Sequence, residues 1–179
     1  MKRKLLAIAM LFFVFALSSC QKEVDTKIIT GEEQQVAQIS DDNFNIILYS
    51  EKDIYSDTEE VNILATIQYI GSSNSIDIYS GDPYAGFTVE SDGVEYISNL
   101  VETILKTTTL EKGVIYEFPL LKVGGFSEDA EDADFWREFY SEEKMLFPIG
   151  QYQVTFSTRF YTADSPDFQL SVQYQFDVN

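Results

Sequence analysis

Beyond Phe44, hydrophobic and polar residues alternate with a period of two over most of the chain. Phe44, Ile46 and Leu48 alternate with Asn45, Ile47 and Tyr49. Val61, Ile63, Ala65, Ile67 and Tyr69 fill alternate places along a longer run. This period is that of a half-buried β-strand. Ile76 and Ile78 begin another strand, which breaks at Gly81-Asp82-Pro83 and resumes with Phe87 and Val89. Ser91-Asp92-Gly93 predicts a hairpin turn, with Val94 and Tyr96 following it. Ile115 to Leu121 reads as a strand, and Pro119 marks an edge or an end. The last third is the most regular. Tyr152, Val154, Phe156, Thr158 and Phe160 alternate with polar residues, as do Phe168, Leu170, Val172, Tyr174, Phe176 and Val178. Ala163-Asp164-Ser165-Pro166 joins the two runs. One segment departs from period two. Ile97, Leu100, Val101, Ile104 and Leu105 recur at helical spacing behind Ser98, which predicts a short helix over 97–106. Many short strands with solvated alternate positions predict an all-β fold, an antiparallel sandwich over residues 43–179.

The N-terminus follows another pattern. Met1-Lys2-Arg3-Lys4 precedes an apolar run of thirteen residues, Leu5 to Leu17. A membrane-spanning helix needs about 20; a basic start and a shorter apolar stretch fit a secretory signal over residues 1–19. The run ends Leu17-Ser18-Ser19-Cys20, which resembles the bacterial lipobox. The resemblance implies cleavage before Cys20 and lipid on its sulfur, so membrane association runs through Cys20. Gln21-Lys22-Glu23-Val24-Asp25 looks like the export signal of surface-exposed lipoproteins in Bacteroidota, apart from Val24. It implies an outer-membrane protein that faces outward. Residues 20–42 are polar, acidic and free of aromatics, and read as the lipidated cysteine and a flexible tether.

Composition narrows the function classes. The 179 residues hold 30 Asp and Glu, 12 Lys and Arg, no His and one Cys, for a net charge of −18. Nucleic acid is not an expected partner, because phosphate binding needs clustered Lys and Arg. Imidazole chemistry, internal disulfides and Cys-cluster zinc sites are excluded. No Gly-x-Ser-x-Gly elbow, P-loop or Gly-x-Gly-x-x-Gly occurs. A non-catalytic chain with no cofactor is expected.

Two resemblances refine the sandwich. Pro148-Ile149-Gly150-Gln151-Tyr152-Gln153-Val154 resembles the tyrosine corner of immunoglobulin-like domains, with Val154 where antibody domains carry Cys. Ile76, Ile78, Ser80, Gly81, Tyr84, Phe87, Val89, Asp92 and Gly93 precede Leu110, Gly113, Tyr116 and Phe118, then Pro148, Gly150, Tyr152 and Val154. In order and spacing these resemble the immunoglobulin-like intracellular proteinase inhibitors of bacilli, across residues 60–160. The resemblance implies an immunoglobulin-like sandwich. The chain departs from it in an acidic insertion at 124–146.

That insertion holds most of the candidate site residues. Glu128 to Asp134 packs five acids into seven residues. Asp129, Glu131, Asp132 and Asp134 are calcium candidates, since calcium takes roughly six to eight oxygens; a solvated loop, or acids favoured by a helix N-terminus, is the other reading. Next comes Phe135-Trp136-Arg137-Glu138-Phe139-Tyr140. Phe135 with Phe139 and Trp136 with Tyr140 are i,i+4 pairs, which predicts a short helix with an aromatic face. Phe135, Trp136, Arg137 and Tyr140 are candidate binding residues, because these types dominate interface hot spots. The alternative is a helix that caps the sandwich and buries its rings. Tyr84, on the Gly81–Gly86 loop, is a further binding candidate, and Tyr49, Tyr55 and Tyr79 are candidates for the surface.

Together these features predict a lipid-anchored, extracytoplasmic sandwich that binds a protein or a glycan. The alternatives are a proteinase inhibitor, on the family resemblance, and a structural subunit of a surface assembly.

Overall fold

The computed structural model describes residues 34–98, 102–166 and 168–179. The signal segment, Cys20 and the tether up to residue 33 lie outside them. The strands are β1 Gln34–Ser40, β2 Phe44–Ser50, β3 Ile54–Tyr55, β4 Ile63–Tyr69, β5 Ser75–Ser91, β6 Val94–Ile97, β7 Glu102–Glu111, β8 Ile115–Pro119, β9 Gly150–Thr162 and β10 Ser171–Val178, with one helix, α1 Ala133–Ser141.

The strands form two sheets. One has the order β1-β2-β4-β8; the other runs β3-β10-β9-β5-β6, with β7 also paired to β5. The chain changes sheets early: β2 pairs antiparallel with β4, and a few residues later β3 joins β10 in parallel. The result is the expected all-β sandwich with a short acidic and aromatic helical insertion, its named strands pairing antiparallel except for β3 with β10.

Alternation placed the core. Tyr152, Val154, Phe156, Thr158 and Phe160 all point inward from β9, and Phe44, Ile46 and Leu48 from β2. Rings bridge the two layers: Phe44 lies 5.2 Å from Phe160, and Phe118 5.4 Å from Phe156. β4 is the central exception to a half-buried strand, since Leu64 and Thr66 are buried as well. At the β5–β6 turn, Asp92 and Gly93 have φ of 50° and 77°. Two successive positive φ values are what a two-residue hairpin demands, hence Asp-Gly.

Three sequence expectations are corrected. Residues 34–40 are not tether: β1 pairs with β2 from Gln34↔Ser50 to Ser40↔Asn45, so the folded part begins before residue 43. Residues 102–106 are not helical but open β7, with Lys106 opposite Ser80 and Thr109 opposite Asp77; residues 99–101 lie outside the described set. The helical spacing was misleading because Ile104 and Leu105 are 73% and 64% exposed. They report no buried face, and the β-branched run Thr107-Thr108-Thr109 favours the strand. Finally, β5 does not break at Gly81-Asp82-Pro83. It shifts register between Ser80 and Ala85 and pairs with β9 on both sides of the shift.

Burial sets the pH response. Desolvation raises the phenols of Tyr55, Tyr84, Tyr140, Tyr152 and Tyr174 above their ordinary value of 10.0. A raised folded-state value means the folded chain holds these protons longer than the unfolded chain does. Their contribution is complete below pH 10.0 and is lost as pH climbs further. The chain is expected to lose its β circular dichroism cooperatively above that pH, with a matching jump in tyrosinate absorbance. Smooth titration of every tyrosine near pH 10.0 with the sheets intact would contradict the burial.

Candidate functional site

The segment from Leu120 to Pro148 crosses one end of the sandwich and carries α1. Its path is fixed at several points. Ser98 N–H donates to the Val123 carbonyl at 3.0 Å, tying the segment to the end of β6. Gly124 follows with φ of 154°, and the Tyr140 hydroxyl occupies the space a Cβ would need. Glycine is required there on both counts.

Charge orients the helix. Asp132 is its N-cap residue and Asp134 stands in the first turn, where acid suits the helix dipole. The last turn holds no basic residue of its own. Lys122 supplies one from outside: its Nζ donates to the Phe139 and Glu142 carbonyls, both at 2.7 Å. The same ammonium lies 4.8 Å from the centre of the Phe139 ring. Burial lowers the Lys122 pKa, while Glu142 and Glu60 oppose that shift.

The helix presents three surfaces, two of which share Tyr96 as a neighbour. One packs on Tyr96, whose ring lies 5.4 Å from Trp136 and 5.7 Å from Phe139, and also touches Phe147 and Tyr152. Tyr140 extends this contact: its hydroxyl donates to the Tyr96 carbonyl at 3.1 Å, and its ring stacks on Phe126. A second surface faces water. There Arg137 pairs with Glu128 and Asp134, exposed contacts of little energetic weight.

The third surface lines a cleft. Phe135, Glu138 and Phe139 recur at i, i+3 and i+4 along one stripe of the helix, and the C-cap residue Glu142 continues the lining. Leu146, Phe147, Pro148, Asp57 and Lys122 complete the lining. The cleft measures about 330 Å³. Its floor is firm, because Phe139 and Phe147 belong to the main core. Phe135 is the ring left open to solvent, at 39% exposure. An apolar floor with carboxylates around it can hold a group that is greasy along its length and polar or cationic at its tip.

The candidate residues therefore separate. Phe135 lines the cleft. Trp136 and Tyr140 are half-buried against the sandwich, as the capping alternative expected. Arg137 is turned outward. Tyr84 is not a rim residue: it is half-buried on β5, with its ring 5.2 Å from Phe118 and 6.3 Å from Phe160. Tyr55 is not on the surface either. It is buried, and its hydroxyl is 2.9 Å from Ser50 Oγ. Cys20 lies outside the described residues. The calcium candidates Asp129, Glu131, Asp132 and Asp134 do not converge; among the described residues no group of three or more acids is placed to hold a metal ion. Asp132 instead accepts the Trp136 indole N–H at 2.7 Å, and Asp134 is held by Arg137.

The sequence reading missed Asp57, Lys122, Glu138, Glu142 and the wall from Leu146 to Pro148. The helical stripe was readable from spacing. Asp57 was not, because it comes from a segment remote in sequence. The positions behind the family resemblance serve the fold: Ile78, Phe87, Val89, Leu110, Tyr152 and Val154 are core, and Asp92, Gly93 and Gly113 make turns at positive φ. No protein-family model matches the chain, and no curated protein is significantly similar to it.

Proposed function

We propose that the chain is a lipid-anchored, non-catalytic binding module of the bacterial envelope, seated in the outer membrane and facing outward. The anchor rests on Leu17-Ser18-Ser19-Cys20, and the outward placement on Lys22, Glu23 and Asp25. The sandwich serves as a rigid support, and the cleft beside α1 receives the partner, a protein segment or a glycan. The observation that carries the binding role is Phe135. It stands 39% exposed over a preformed cleft, while its neighbour Phe139 is sealed in the core. An exposed aromatic in a firm apolar recess is what an interface anchor requires.

The test is a peptide and glycan array probed with the full chain in non-ionic detergent. Ligands are expected whose affinity falls about tenfold or more in Phe135→Ala, the loss typical of an anchor residue. The unfolding midpoint should move little, since the ring is partly wet already. Ligands that bind Phe135→Ala and the parent chain equally well would overturn the reading.

A further inference from the structure

We propose that the cleft accepts the side chain of a lysine or arginine from a basic protein segment. This rests on the binding role just described and names the chemistry of the partner.

The rim is acidic and the floor is apolar. The acidic Asp57, Glu138 and Glu142 line a recess together with the buried rings of Phe139 and Phe147 and the partly open ring of Phe135. All three acids are exposed, and none forms an ion pair among the described residues. Glu142 accepts the Lys144 backbone N–H at 3.1 Å through one oxygen, which leaves the other available. The single cation of the wall is Lys122, and its ammonium is committed to two helix carbonyls. The recess is therefore short of positive charge. Lys122 also shows the contact a second cation would make, since it already rests over the Phe139 face.

A long basic side chain fits each part. Its methylenes cover the rings while its head reaches the rim carboxylates. A cation above an aromatic face gains from the ring's quadrupole, and Phe135 offers a partly open ring. A volume of about 330 Å³ is room for one or two such side chains, not for a folded element. The net charge of −18 steers basic partners toward the surface. A neutral glycan would gain only hydrogen bonds from the same carboxylates, which is why the observations favour the cation.

The test uses fluorescein-labelled hexalysine, its fully acetylated counterpart and maltohexaose, with the full chain in non-ionic detergent at about 150 mM salt. Hexalysine is expected to bind saturably and the acetylated peptide not to bind. The double substitution Asp57→Asn with Glu138→Gln should weaken hexalysine about tenfold or more. Glu111→Gln with Asp164→Asn removes the same charge far from the cleft and should change affinity less than about twofold. Equal losses in the two pairs would reduce the effect to the general field of an acidic protein and overturn the site. Maltohexaose binding that needs Phe135, with no hexalysine binding, would overturn the cation and leave the binding role standing. If neither probe nor any array ligand depends on Phe135, both fall.

Discussion

Replacing Tyr152 with alanine is expected to cost about 3–5 kcal/mol, the loss found when a large buried ring is removed. The side chain is 1% exposed and sits where helix, sheet and chain corner meet. Its ring stacks on Phe176 at 5.1 Å and packs on Phe147 at 4.9 Å and Tyr96 at 5.3 Å. Its hydroxyl donates to the Pro148 carbonyl at 2.7 Å, the bond expected of a tyrosine corner. Against a domain stability of roughly 5–15 kcal/mol, the loss is large enough to leave much of the protein unfolded at physiological temperature. Tyr152→Phe keeps the ring and removes only the bond, so it should cost about 1 kcal/mol. Urea unfolding of both variants checks the pair. Equal, small losses would mean that the corner is not a keystone of the fold.

Replacing Cys20 with alanine is expected to move nearly all of the protein from the membrane fraction to the soluble fraction. The lipid is proposed as the sole firm attachment. Two or more acyl chains hold a protein stably, each buried methylene contributing about 0.8 kcal/mol, whereas one chain holds marginally. The sequence carries a net charge of −18, which opposes adsorption to an anionic bilayer. No helix among the described residues is long and apolar enough to cross a membrane. Fractionation with a carbonate wash, alongside labelled-palmitate incorporation, reads the outcome. A Cys20→Ala protein that stays with the membrane and resists the wash would refute the lipid anchor.

How far the sequence could be read depended on where each strand lies. β9 and β10 each have one face on the core, so polarity follows the pleat and both were legible. β1 is an edge strand whose register shifts between Gln35 and Ala37. The shift sets Val36 and Ala37 side by side, and period two disappears just where it was needed. β7 is mostly exposed, so Ile104 and Leu105 carried no information about a buried face; pairing with β5, a contact remote in sequence, decides its conformation. The helix could be placed because acids precede it and its apolar residues recur with period 3.6. What could not be read was the division of its aromatics. Tyr96 takes Trp136 and one edge of Phe135, Gly124 gives room to Tyr140, and the rest of the Phe135 ring is left open at the cleft. That division depends on a glycine and a strand end that local patterning does not connect to the helix.

The central claim is that this protein works by holding a partner in the cleft beside α1. Trp136 is the chain's one tryptophan, and its ring lies 5.0 Å from Phe135, so its emission reports on the cleft directly. Adding an array ligand to the full chain should shift that emission along the same saturation curve as binding, and Phe135→Ala should move both to about tenfold higher ligand concentration or more. A ligand that saturates the protein and leaves the Trp136 emission unmoved would place the binding surface elsewhere and contradict the account.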